Sequence, residues 1–264
     1  MPDDWDAVLA APALVLNLPD DGVRRAECVA RLREAGFRDI RVLPGIDARR
    51  PESAADVRAA WRGHGIDPDR RGAGGFDPSD AAFVDQPGKQ GCMLAQLAAW
   101  RYVIDEGLPH ATIWEDDVLF HRQWDELAPQ YWAATPKDGT DVVYFGSHCA
   151  GGTPYQVVPQ PVFCLQAYLV SGPGIRRLYE WVLGHPSGVR TIDCMLWDRM
   201  CEEARRGAGA GAAGRGFVWY AWNAQMFPDP AAEARKHPEA LQKDVGLVFQ
   251  DYRFHPDLTG GSGP

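Results

Sequence analysis

Two short apolar runs near the N-terminus, with a helix-length segment between them, constrain this chain more than any other feature. Residues 12–18 (Pro-Ala-Leu-Val-Leu-Asn-Leu) form a continuous apolar run of strand length, the pattern of a strand buried on both faces. Asp20 and Asp21 cap a helix that runs through about residue 35 and ends at Gly36. Asp39 to Leu43 reads as a second strand, closed by Pro44-Gly45. A helical crossover makes the two strands parallel, so the first sixty residues read as a βαβ unit. The expected fold class is α/β: a Rossmann-like, mixed but mainly parallel sheet flanked by helices.

The rest of the chain extends that pattern. Residues 64–87 are rich in Gly, Pro, Asp and Arg and read as a mobile insertion or lid. Gly88 to Gly107 carries apolar residues on enough of its circumference to form a largely buried helix. An apolar strand at 111–114 follows, then a helix over 121–134, a strand over 141–146 and a loop over 149–161. A strand at 162–171 leads into helices at 172–183 and 191–206. A Gly/Ala tract (207–216) reads as a flexible surface loop ahead of Phe217 to Trp222. We therefore expect a single domain over 1–259, with 64–87 and 207–216 as flexible insertions and 260–264 as a disordered tail.

Charge and composition exclude several classes of protein. The chain has 264 residues, 45% of them hydrophobic, which is enough for one large core. Its formal net charge is -9, and it has no basic run interleaved with aromatics, so a nucleic-acid footprint is missing. The acidic opening Met-Pro-Asp-Asp-Trp-Asp is no secretory signal, and no stretch reaches membrane-spanning length; the expected location is cytoplasmic. The 6 cysteines stand singly with no Cys-x-x-Cys pair, so they read as reduced and mostly core residues.

Glu115-Asp116-Asp117 ends the apolar strand and carries the chemistry. Three acids at the rim of a core are costly unless a cation shares them. In an extended segment Glu115 and Asp117 face one side and Asp116 the other. Asp117 is then the candidate direct metal ligand, with Glu115 reaching the metal through water or contacting a ribose. The bland alternative is a strand end whose acids cap the next turn.

Several pieces in order resemble glycosyltransferase family 25, the lipopolysaccharide-biosynthesis and collagen galactosyltransferase group. They are Leu16-Asn17-Leu18 with Arg24, Gly45-Ile46-Asp47-Ala48, Gly88-x-x-Gly91-Cys92 with Trp100, Trp114-Glu115-Asp116-Asp117-Val118, Val143-Tyr144-Phe145-Gly146 and Ala167-Tyr168-Leu169-Val170-Ser171. The resemblance implies a GT-A-type fold, a divalent cation (manganese or magnesium), a UDP-sugar donor and inversion at the sugar carbon. It places Asn17, Leu18, Arg24, Asp47, Gln96, Glu115 and Asp116 near the nucleotide sugar. Arg24 offers a bidentate grip on phosphate, and Asp47 is a partner for base or ribose. Where the family has Ser-His, this chain has Ala95-Gln96, and Gln cannot titrate.

An inverting transfer also needs a base near the acceptor hydroxyl. Asp193, at the start of the helix after Thr191, is the candidate; its bland reading is a first-turn acid. His148 and His255 are candidate metal ligands, though a lone histidine without a spacing signature reads first as an ordinary loop residue. Trp219, Tyr220 and Trp222 are candidates for stacking on a sugar face or for core packing. The leading expectation is a hexosyltransferase acting on a saccharide, peptide or small-molecule hydroxyl. The alternatives are a sugar-nucleotide hydrolase or nucleotidyltransferase on the same fold, or a non-catalytic nucleotide-sugar-binding relative.

Overall fold

The computed structural model describes residues 1–148, 156–158, 161–205, 217–223 and 244–251. The 207–216 tract, the 260–264 tail and His255 lie outside them. In chain order the elements are α1 (Trp5–Ala10), β1 (Pro12–Asn17), α2 (Gly22–Glu34), β2 (Asp39–Pro44), α3 (Ala54–Gly63), α4 (Ala81–Asp85) and α5 (Pro87–Asp105). Next come β3 (His110–Glu115), β4 (Val118–Phe120), α6 (Trp124–Ala134), β5 (Val142–His148) and β6 (Gln156–Val158). The rest are β7 (Phe163–Ser171), α7 (Gly172–Leu183), α8 (Ile192–Arg205), β8 (Trp219–Asn223), β9 (Asp244–Gly246) and β10 (Val248–Gln250).

The main sheet has 8 strands in the order β2-β1-β3-β7-β5-β8-β6, with β9 also paired to β5. β2, β1, β3, β5 and β8 run one way, and β7, β6 and β9 run the other. This is the expected mixed, mainly parallel α/β sheet, and β1 and β2 are the parallel pair that the opening βαβ unit implied. β4 and β10 form a separate two-stranded ribbon.

Strand alternation divides the apolar residues between two cores. On β1, Leu14 and Leu16 face one core while Ala13 and Val15 face the other, as period-2 pleating requires. The first core is roofed by α5, α7 and α8, with Trp100, Val103, Ile175 and Met195 buried in it. The second is closed by α2 and α6, through Cys28, Leu32, Trp124 and Trp132. Both faces of the central strands are therefore dry.

Crossovers on opposite faces create a topological switch. α2 crosses from β1 to β2 over one face, while α5 leads into β3 over the other. A crevice therefore opens beyond the carboxyl ends of β2, β1 and β3, where ligands bind in open α/β sheets.

Several details depart from the sequence reading. Residues 64–87, expected as a mobile lid, are tied into the first core by a cluster in which Phe76 and Phe83 pack edge-on against Trp61. The polar composition hid these few aromatic anchors. Within the 149–161 segment, expected as loop, residues 156–158 form β6 along β8. The helix expected from His121 starts only at Trp124, because His121 spends its Nδ1 accepting from the Gln123 backbone N–H at 3.1 Å. α1, α3 and α4 were not anticipated.

The cysteines are also less buried than expected. Among the described residues Cys28 is buried, Cys92 is exposed, and Cys164, Cys194 and Cys201 are intermediate. Cys92 lines an open cavity, Cys164 is on β7, and Cys194 and Cys201 are on α8. Burial pushes the Cys28 thiol up to about 12, with the charges of Asp116 and Asp117 adding to it. Trp219, Tyr220 and Trp222 are buried in the strand they belong to, so core packing accounts for all three. No helix among the described residues is long and apolar enough to cross a membrane.

Candidate active site

The crevice at the switch point is a cavity of about 380 Å³. Asn17 and Leu18 from the end of β1, Asp47 from the turn after β2, and Gln96 from α5 all line it. Arg24 from α2 and the acids Glu115, Asp116 and Asp117 complete its polar wall. A second lobe of about 410 Å³ adjoins it across Leu18, Gly45 and Asp47. Its rim adds Asp20, Arg50 and Asp56.

Local sequence explains why these elements meet. Asp21 caps α2 by accepting from the Arg24 backbone N–H at 3.2 Å, which starts that helix at the mouth of the cavity. The Gly45 N–H donates to the Asn17 carbonyl at 2.9 Å, holding the β2 turn against the end of β1. Gly91 lets α5 approach this turn, because a Cβ there would lie 3.0 Å from the Ile46 carbonyl oxygen.

The acids do not follow strand alternation. β3 ends at Glu115, and Asp116-Asp117 form the turn into β4. The turn cancels the expected two-sided arrangement, and all three carboxylates line the same cavity. Asp116 and Asp117 are 7% and 1% exposed, so their charge needs compensation. Arg24 supplies part of it: Nη2 ion-pairs with Asp116 and lies 3.1 Å from Asp117 Oδ2. Asn17 Nδ2 donates to Asp116 Oδ2 at 2.6 Å and to the Asp21 carbonyl at 3.1 Å. Arg24, expected as a phosphate grip, is thus engaged by carboxylates in this structure.

That compensation is incomplete. Desolvation pushes Asp116 above the ordinary carboxylate range despite the opposing charge of Arg24. Glu115 is raised to about 8, first by desolvation and then by the charges of Asp117, Asp193 and Asp116. Gln250 Nε2 donates to Glu115 Oε2 at 3.3 Å and opposes the rise. Gln250 reaches the site because β10 pairs with β4, and the Asp251 N–H donates to the Asp117 carbonyl.

Asp193 stands in the first turn of α8, partly exposed and within electrostatic reach of Glu115 and Tyr144. Asp80 fixes that helix end. Its Oδ1 accepts from the Phe83 N–H at 2.9 Å, and its Oδ2 accepts from the Thr191 hydroxyl at 2.7 Å and the Thr191 N–H at 3.1 Å. Asp47 is held by Arg49 Nε at 2.7 Å and accepts from the Arg49 N–H at 3.2 Å, as a turn residue does. It still lines both lobes. His148 ends β5, its backbone paired with Phe163.

Among the described residues, no three His, Cys, Asp or Glu side chains converge as a complete metal site. The donors present are the hard oxygens of Glu115, Asp116 and Asp117 on one cavity wall. Such a set suits magnesium or manganese, which bind through one or two carboxylates and complete their shell with phosphate oxygens and water.

No protein-family model and no curated protein matches this chain. Among solved structures, one similar chain is described as a glycosyltransferase involved in the glycosylation of the major capsid of PBCV-1. The two agree at a TM-score of 0.38 with 10% sequence identity, over 91% of this chain and 92% of that one. A likeness this loose carries no weight for site or substrate.

Proposed function

We propose that the protein is a metal-dependent glycosyltransferase that moves a hexose, galactose or glucose, from a UDP-sugar to a hydroxyl acceptor with inversion. The observation that carries this reading is the meeting of Glu115, Asp116, Asp117 and Arg24 on one cavity at the carboxyl ends of parallel strands, with Asp193 in reach. The family 25 resemblance of the motifs supports the same reading. The acceptor would be a saccharide, a peptide or a small molecule.

Asp117 and Glu115 would hold a divalent cation, which when bound supplies charge neutralisation to a departing diphosphate. Arg24 would give up Asp117 for phosphate oxygens, where its planar fork is matched. Asp116, tied to Asn17, would keep the Arg24 side chain at the cavity mouth. Asp193 would take the proton of the acceptor hydroxyl as it attacks the sugar carbon from the face opposite the leaving group.

A thermal-shift panel of UDP, UDP-glucose and UDP-galactose with manganese tests the reading first. A ligand at 100 times its dissociation constant adds roughly 2.7 kcal/mol. Product analysis then separates transfer from the alternatives: UDP plus glycosylated acceptor supports it, while free sugar or pyrophosphate overturns it. Asp193→Asn should bind donor normally and lose turnover; retained turnover removes the assigned base.

A further inference from the structure

A buried relay holds the amide of Gln96 in one orientation. Trp100 Nε1 donates to the Tyr168 hydroxyl at 2.8 Å, and that hydroxyl donates to Gln96 Oε1 at 2.5 Å. The chemistry sets the direction. An indole N–H can only donate, so the Tyr168 oxygen accepts it and turns its own proton toward Gln96. A flipped amide would leave that proton without an acceptor, inside a core where Trp100, Tyr168 and Gln96 are at most 1% exposed. Nε2 is therefore the branch turned away from the relay. Among the described residues it has no hydrogen-bond partner, and Gln96 lines the cavity that holds the acids. A buried amide donor left unmade is costly, and a bound acceptor removes the cost.

Given the nucleotide-sugar reading above, on which this inference rests, the geometry points to Gln96 Nε2 as a specificity-determining donor to a hydroxyl of the sugar. The neighbourhood favours a hydroxyl over a phosphate oxygen. The groups that hold Gln96, the Tyr168 hydroxyl and the Trp100 indole behind it, are uncharged. A neutral amide N–H in such surroundings suits an uncharged acceptor, as a sugar hydroxyl is. An anionic oxygen finds its charged partner elsewhere on the cavity wall, at Arg24. Tyr168 is then a positioning residue, acting through the amide it orients.

Calorimetric titration with UDP, UDP-glucose and UDP-galactose in manganese separates the parts. The wild type should bind at least one UDP-hexose more tightly than UDP. Gln96→Met, close in length and apolar, should keep UDP affinity within about twofold. It should lose about tenfold of the increment due to the sugar, the weight of one well-placed hydrogen bond. Tyr168→Phe should lose a smaller part of the same increment and leave UDP binding intact, a split that a purely structural defect would not produce. An unchanged increment in Gln96→Met, equal losses for UDP and UDP-hexose, or a wild type that binds UDP and both hexoses alike overturns the inference alone. A wild type that binds no UDP overturns the nucleotide-sugar reading and this inference with it.

Discussion

Arg24 Nη2 lies 3.1 Å from Asp117 Oδ2 while also ion-pairing with Asp116, so one guanidinium serves two buried carboxylates. A cation arriving at these acids would compete with Arg24 for them. Removing the guanidinium leaves two desolvated charges without their main compensation. In chelated buffer Arg24→Ala should lose about 2–4 kcal/mol of stability. Manganese should then stabilise the variant more than the wild type, because its place is already cleared. Urea denaturation with EDTA or with manganese reads both effects; an equal manganese increment in the two proteins would show that arginine and metal do not share a site.

Glu115 gives the metal-free protein a pH dependence of known sign. Its carboxyl is raised from 4.5 to about 8, so the folded state holds a proton that the unfolded chain has released. Its favourable contribution is full below about pH 4.5 and is lost as pH rises through about 8. Glu115→Gln mimics the protonated form and keeps the hydrogen-bond capacity toward Gln250. The variant should match the wild type near pH 5 and exceed it near pH 9 by an amount on the order of 2 kcal/mol, allowing for solvent at the cavity mouth. Denaturation curves at the two pH values decide it, and parallel pH profiles would contradict the raised carboxyl.

The opening βαβ unit was legible because its signals are local: an apolar run, an Asp cap and a Pro-Gly stop. Clustering of the acids was legible for the same reason. Their orientation was not, because the turn at Asp116-Asp117 forms where β3 hands the chain to a three-residue strand that exists only through its partner β10. Leu119 pairs with Phe249, and no local pattern announces a contact at such separation. Gln250 was invisible as a site residue on the same ground. α3 could have been found from Val57 and Trp61, four residues apart on one helix face, but Pro51 and the surrounding charge masked them.

Asp80 couples the start of α4 to the start of α8 through its two carboxylate oxygens. Losing the cap and the Thr191 contacts together should cost about 1–3 kcal/mol. The functional effect should be selective, because the helix end that moves carries Asp193 and not the donor-binding acids. Asp80→Ala should therefore depress kcat while donor KM stays within about twofold, and Asp80→Asn should recover part of kcat. Steady-state kinetics on both variants checks the split; a rise in donor KM without loss of kcat would contradict it.

Gly91 tests whether the close approach of α5 shapes the cavity. A helix-interior Gly→Ala change gains about 1 kcal/mol of propensity, but the new Cβ would lie 3.0 Å from the Ile46 carbonyl oxygen and 3.3 Å from the Ala48 Cβ. Such overpacking costs roughly 1–3 kcal/mol, so the two effects leave little net change in stability. The strain falls on the turn that carries Asp47, and UDP affinity should drop several-fold even though the fold holds. Gly88 is the internal control: a Cβ there meets only the flexible Arg49 side chain, at 3.8 Å. Gly88→Ala should bind UDP as the wild type does. Equal affinity in the two variants would show that the α5 contact with the β2 turn does not set the shape of the site.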